Sequence, residues 1–157
     1  MTDIADQKPS FLLFCQENCR DDILSQWHPT KNGTLSPLNI TAGSSRKVWW
    51  RCEKGHEWRA KVVDRTRNQT GCPYCTNQKV LAGFNDLATL EPDIASQWNY
   101  DLNGSLTPQM ITPGSSRKVW WSCSQGHTWR TAVYNRTGHS KRTGCPVCSG
   151  AGKAVLK

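Results

Sequence analysis

Two sets of four soft ligands recur along this chain of 157 residues. Cys52-x3-His56 is followed by Cys72-x2-Cys75, and Cys123-x3-His127 by Cys145-x2-Cys148. Thiolate and imidazole at this spacing suit zinc, which takes four donors in a tetrahedron; three cysteines and a histidine would close a structural shell. Cys72/Cys75 and Cys145/Cys148 form Cys-Pro-x-Cys knuckles and are read as ligands. His56 and His127 keep two readings open: a ligand, or a histidine packed beside Trp58 or Trp129, with the fourth ligand elsewhere. His28 is matched by Asn99 and is not expected to ligate, and His139 falls in an unmatched loop. Cys15 and Cys19 have no cysteine counterparts. At the common offset they align with Asp86 and Leu90, and they are read as buried or free thiols on a first helix.

The two sets belong to a longer repeat of about 71 residues. Ser25-Gln26-Trp27 returns as Ser96-Gln97-Trp98, and Gly43-Ser44-Ser45-Arg46-Lys47-Val48-Trp49-Trp50 returns unchanged from Gly114 to Trp121. All eight tryptophans lie in the repeat, four per copy. A period of this length marks a structural unit used in tandem. Units of about 70 residues are at the size where a hydrophobic core alone is marginal and a metal staple helps. The expected organisation is a disordered segment 1–9, a first zinc-binding repeat 10–80, a second 81–150, and a tail 151–157. The fold class is small α+β and metal-stabilised: two tandem zinc-ribbon or treble-clef-like modules, each a β-hairpin with zinc knuckles plus short helices. Two structural Zn2+ ions are the expected cofactors.

The elements that must position the ligands are short. Asp21–Trp27 reads as an amphipathic helix. Asn85-Asp86-Leu87 reads as an N-cap, with Pro92 opening a second short helix. Asn32-Gly33 and Asn103-Gly104 mark turns. Val48–Cys52 and Glu57–Val63 are expected to pair as a hairpin, as are Val119–Cys123 and Thr128–Tyr134. One length difference between the copies is evident, two extra residues between Thr137 and Gly144.

Hydrophobic residues make up 36% of the chain, and no apolar run is long enough to span a membrane or form a signal segment. A cytoplasmic protein with no membrane partner is expected, and there paired cysteines are ligands rather than disulfides. The net charge of +8 is uneven. Arg46–Gly71 carries eight Lys/Arg against three acids, and Arg117–Gly144 six against none, while residues 1–45 and 72–116 are each net acidic. Arg46, Lys47, Arg59, Lys61, Arg65, Arg67, Arg117, Lys118, Arg130, Arg136, Lys141 and Arg142 are the candidate phosphate contacts. The competing reading is a solvated basic surface. Of the tryptophans, Trp27, Trp58 and one of Trp49/Trp50 are assigned to the core, leaving one to stack on bases. Catalysis is not expected. Metal-dependent nuclease chemistry needs carboxylates around an open position, and no acid recurs between the two cysteine-bearing cores.

The combination of S-Q-W-[HN], G-S-S-R-K-V-W-W-x-C, G-H-x-W-R and G-C-P-x-C resembles the zinc-ribbon or treble-clef repeat family of bacteria and their viruses, over about residues 20–150. The resemblance implies that Cys52, His56, Cys72 and Cys75 form one site and Cys123, His127, Cys145 and Cys148 the other. It also implies a nucleic-acid-binding role, with DNA favoured over RNA. The alternative is a zinc-stabilised adaptor that recruits a protein partner, such as a nuclease.

Overall fold

The computed structural model describes residues 8–138 and 142–152. Most of segment 1–9, most of the tail, His139 and Lys141 therefore lie outside the described residues. The chain divides into two units, residues 1–76 and 77–157.

The first unit opens with helix α1 (Phe11–Glu17), whose N-cap Ser10 accepts the Leu13 N–H, and continues with α2 (Asp21–Leu24). Strands β1 (Lys47–Arg51) and β2 (Glu57–Lys61) pair antiparallel with Trp49 opposite Arg59 and Trp50 opposite Trp58. Helix α3 (Val62–Thr66) follows β2 directly. Alternation along β1 sends Val48 and Trp50 inward and leaves Lys47, Trp49 and Arg51 on the outer face. Phe11, Val48, Trp50, Trp58, Val62, Cys15 and Cys72 belong to one buried cluster.

The second unit repeats the plan. Helices α4 (Leu87–Leu90), α5 (Pro92–Ala95) and α6 (Tyr100–Asn103) precede a 3-10 turn at Pro108–Met110. The hairpin β3 (Lys118–Ser122) with β4 (Thr128–Ala132) runs into α7 (Val133–Thr137). Asp86 caps α4 by accepting the Thr89 N–H, and Pro92 sits in the first turn of α5, as the sequence predicts. Leu87, Trp98, Val119, Trp121, Trp129, Val133 and Cys145 form its core. A fully buried valine contributes about 1.5–3 kcal/mol, so cores this small leave room for a metal to matter.

Four expectations need correction. The first helix expected over Asp21–Trp27 ends at Leu24. Gln26 to His28 instead run beside β1: the Arg51 N–H donates to Gln26 O at 2.8 Å and the His28 N–H to Trp49 O at 3.1 Å. Second, the hairpin partners expected to reach Val63 and Tyr134 end at Lys61 and Ala132. There the valines turn inward to start α3 and α7, whose first amides donate to carbonyls of the Gly-Ser-Ser-Arg segment (Val63 to Ser44, Tyr134 to Ser115, both 3.0 Å). Third, Trp27 is half-buried against the core rather than within it, whereas its counterpart Trp98 is buried.

Fourth, the copies differ in length at a second place. The Phe11 N–H donates to Ile40 O at 2.7 Å, and the Leu87 N–H to Ile111 O at 2.8 Å. Phe11 and Leu87 are both fully buried, one residue after the helix caps Ser10 and Asp86. These residues correspond at an offset of 76, whereas Ile40 and Ile111 correspond at 71. The first copy therefore holds five more residues between the start of its first helix and the start of α2. Cys15 and Cys19 fall in that extra length, so Asp86 and Leu90 are not their counterparts.

Candidate metal centres and the basic hairpin faces

Each tetrad is assembled by two tight turns. At the hairpin tip, the Cys52 N–H donates to His56 O at 3.0 Å and the Gly55 N–H to Cys52 O at 2.9 Å, with the same two distances at Cys123 and Gly126. Gly55 and Gly126 hold φ of +81° and +79°, where a side chain is strained. The second turn follows α3 or α7 and brings in Cys72 and Cys75, or Cys145 and Cys148, with Thr76 and Ser149 amides closing it onto Cys72 O and Cys145 O at 3.1 Å.

The four donor atoms of each set lie within 4.8 Å of one another. His56 Nδ1 is 3.5, 3.7 and 3.4 Å from the sulfurs of Cys52, Cys72 and Cys75. His127 Nδ1 repeats those distances to Cys123, Cys145 and Cys148. The outer sulfurs are 4.0 Å apart in the first set and 3.9 Å in the second. A zinc tetrahedron with ordinary bond lengths has edges of about 3.6 Å between sulfur and nitrogen and about 3.8 Å between sulfurs. Disulfide sulfurs would be about 2 Å apart. The sets fit two structural zinc ions, and both histidines belong to them.

The electrostatics point the same way. Burial pushes the Cys52 thiol up, but the backbone N–H groups of His56 and Lys54 and the other two sulfurs outweigh it and hold it below its usual range. Cys123 is brought down to about 6 against burial by the Gln125 and His127 amides and its neighbouring thiols. Burial, then the adjoining sulfurs, push Cys75 up to about 11. For Cys148, also about 11, the Cys145 sulfur leads and burial follows. A thiolate is favoured at one corner, and further negative sulfur is resisted until a cation joins it. A coordinated dication supplies that charge. When bound, zinc would cross-link the hairpin tip to the second knuckle through four protein donors.

The model of the probable treble clef zinc finger domain matches residues 23–78 and 94–151. The chain belongs to that family. The two matches start at Ile23 and Ile94, so α1 with Cys15, and α4 with its cap, precede the matched spans. No curated protein matches this chain.

The candidate basic residues fall into three groups. Arg46, Lys47, Arg59, Lys61 and Arg67 in the first treble clef unit, and Arg117, Lys118 and Arg130 in the second, are exposed. Arg142 is exposed but makes a two-pronged ion pair with Glu91 at 2.9 and 3.2 Å. Arg65 and Arg136 are not surface residues: they are 1% and 4% exposed. The Arg65 guanidinium lies 5.1 and 5.3 Å from the Trp50 and Trp58 rings, and that of Arg136 lies 4.8 and 5.0 Å from Trp121 and Trp129. Neither can reach a phosphate from that position, contrary to the sequence expectation. The recurrence of an arginine among inward-facing α3 and α7 residues was the sequence signal, and its physical cause is stacking rather than display.

Sequence reasoning also missed Gln26 and Gln97. Each amide oxygen accepts from the buried arginine's Nη2, at 2.6 and 2.8 Å, which explains why Ser-Gln-Trp recurs. On the outer hairpin face, Trp49 and Trp120 are half-buried. The Asn32 side chain pins the Trp49 backbone at 2.7 and 3.0 Å, and Asn103 pins Trp120 at 2.8 Å on both sides. Lys31 Nζ sits 5.0 Å from the Trp49 ring and also pairs with Glu57. Lys31 first, then His28, holds the Glu57 carboxyl down to about 2.

Proposed function

We propose that this tandem treble clef protein binds nucleic acid through the outer faces of its two hairpins, without chemistry of its own. One observation carries the reading. After the buried arginines are removed, three exposed cations recur at the same places around the same outward tryptophan: Arg46, Lys47 and Arg59 about Trp49, and Arg117, Lys118 and Arg130 about Trp120. Lys61, Arg67 and Arg51 are replaced in the second copy by Ala132, Gly138 and Ser122, so the retained part of the basic surface is the part that flanks the ring. Cations beside a π-face suit a phosphate backbone with accessible bases. DNA is the favoured ligand. A reducing, cytoplasmic setting suits the reading, because six of the cysteines belong to the two metal tetrads and must stay reduced to ligate.

The test is an anisotropy titration of zinc-loaded protein against double-stranded DNA, single-stranded DNA and RNA at two salt concentrations. Binding should be salt-sensitive. Replacing Arg117 and Lys118 together with alanine should lower the salt slope on duplex by about 1.8, at roughly 0.9 per phosphate contact, with zinc content unchanged. Unchanged affinity would overturn the proposed face.

The adaptor reading has its own observation: Tyr100, Leu102 and Met110 are each more than half exposed in the second unit. Recovery of one protein partner regardless of salt, with no binding to nucleic acid, would favour it.

A further inference from the structure

Arg65 and Arg136 raise an electrostatic problem that stacking alone does not solve. A guanidinium withdrawn from water is costly unless it is compensated. Stacking on two indoles and bonds to neutral oxygens (Gln26 and the Thr70 carbonyl for Arg65, Gln97 for Arg136) leave the formal charge unanswered. The Nε of both arginines, and Nη1 of Arg136, are buried with no hydrogen-bond partner among the described residues. No carboxylate bonds to either guanidinium among the described residues. Asp22, the acid whose charge Arg65 feels, is engaged with Arg20 at 2.9 and 3.2 Å.

The answering charge lies at the metal centres. Cys72 shares its buried cluster with Trp50 and Trp58, the rings over which Arg65 lies. Cys145 shares the other cluster with Trp121 and Trp129, the rings over which Arg136 lies. In the second unit Arg136 and the three cysteines Cys123, Cys145 and Cys148 line a single cavity of about 580 Å³. Gln97, which bonds Arg136, lines that same cavity, and in the first unit Gln26, which bonds Arg65, lines the cavity of Cys52, Cys72 and Cys75. A dication with three thiolates and a neutral imidazole carries a net charge of −1. One buried cation per centre brings the pair to neutrality.

We propose that Arg65 and Arg136 are the built-in counter-cations of the two zinc–thiolate centres. They are positioning residues that touch no ligand of the protein and act through Cys72 and Cys145. The two tryptophans and the glutamine hold each guanidinium beside its thiolates, so the recurring Trp-Trp, Trp-Arg and Ser-Gln-Trp motifs serve the metal centre as well as the core. Mutual compensation explains why each unit retains both a negatively charged metal shell and a buried arginine. It also makes the centre tighter than its four ligands alone would be.

The experiment uses the full chain, loaded with two zinc ions, and measures zinc affinity by competition with a chromogenic chelator. Arg136→Met keeps length and apolar contact but removes the charge; Arg136→Lys keeps the charge but loses the planar stack. Partners outside the ligand set typically change metal affinity about 10–100-fold. Arg136→Met should weaken one of the two zinc ions by that factor and leave the other unchanged. Arg136→Lys should recover most of the loss, and tryptophan fluorescence at saturating zinc should report a native fold in both. Affinity within twofold of the parent in a folded Arg136→Met protein would overturn the proposal and leave the arginine a packing element. Should Arg136→Met fail to fold even at saturating zinc, Arg136→Lys decides: near-parental affinity supports the counter-cation, and a loss of tenfold or more rejects it.

Discussion

His28 and Asn99 hold the same corner of their units with different atoms. His28 Nδ1 accepts the backbone N–H of Lys31 at 3.1 Å, and also that of Thr30 at 3.2 Å; Asn99 Oδ1 accepts the N–H of Leu102 at 2.8 Å. On the other side of the ring, His28 Nε2 meets Glu57 at 2.8 Å, while Asn99 Nδ2 donates to Ser122 Oγ at 2.8 Å. Because Nδ1 accepts from two amides, the proton belongs on Nε2, assigned from the bonding network. His28 is thus an asparagine-like cap, only 4% exposed.

That equivalence makes His28→Asn a mild change. It should keep both zinc ions and lower the thermal midpoint little. His28→Leu leaves two amides and a carboxylate edge unanswered and should cost about 1–3 kcal/mol, read from thermal melts of the zinc-loaded chain. Equal damage by the two substitutions would show that the ring's shape, rather than its acceptor, is what the corner needs.

Chelation should unfold both units. Structural zinc supplies about 10–16 kcal/mol in small finger peptides, more than cores of this size hold in reserve. Cys72→Ser should therefore leave a protein with one zinc instead of two and an unfolded first unit, visible as partial loss of native tryptophan emission. Cys15→Ala should keep both ions and cost about 1–2 kcal/mol. Cys15 is fully buried in the core and, mainly through that burial, its thiol is pushed up to about 11, so it stays protonated. Zinc stoichiometry separates the two cysteines.

The contrast shows what the sequence could and could not reveal. Cys52, His56, Cys72 and Cys75 were legible because ligand spacing is a local property of two turns, and because the set occurs twice. The hairpins were legible from β-branched and aromatic runs. Helices α3 and α7 were not, since Val62-Val63 and Val133-Tyr134 favour extended structure in isolation. Their first amides turn instead to Ser44 O and Ser115 O, a tertiary choice that propensity does not contain. Arg65 and Arg136 were misassigned for the same reason, as their burial follows from the unexpected helices. The register of Phe11 with Leu87 was hidden because α1 and α4 match at no aligned position, sharing only a capping residue and one long-range amide bond.

The hairpin tips carry a further prediction. Gly126 sits at φ +79° with open space around the position a Cβ would take. Gly126→Ala therefore costs only backbone strain, about 1–2 kcal/mol, and Gly126→Asn should cost less because asparagine tolerates that region. Both should appear as a lowered denaturant midpoint of the second unit with zinc stoichiometry kept at two. An alanine without effect would mean that the Cys123–His127 turn relaxes to another conformation at no cost.

Trp49 and Trp50 are neighbours in β1 with opposite assignments, and the pair separates folding from binding. Trp50 is fully buried, edge-on to Phe11 and Trp27 at 5.6 and 5.5 Å, and its indole N–H donates to Ala60 O at 3.1 Å. Trp50→Ala should cost about 3–5 kcal/mol and abolish the first unit. Trp49 lies on the opposite face, across from Arg59. Trp49→Ala should leave zinc content and the fold intact, because the Asn32 bonds that fix this stretch go to backbone atoms. On single-stranded nucleic acid it should weaken binding by about 1–3 kcal/mol if a base stacks there, and Trp120→Ala should do the same in the second unit. The decisive comparison is Trp49→Ala against Trp49→Phe in the same titration. Recovery by phenylalanine identifies a stacking ring. No change in either variant would confine the contact to Arg46, Lys47 and Arg59 and make the interface one of phosphates alone.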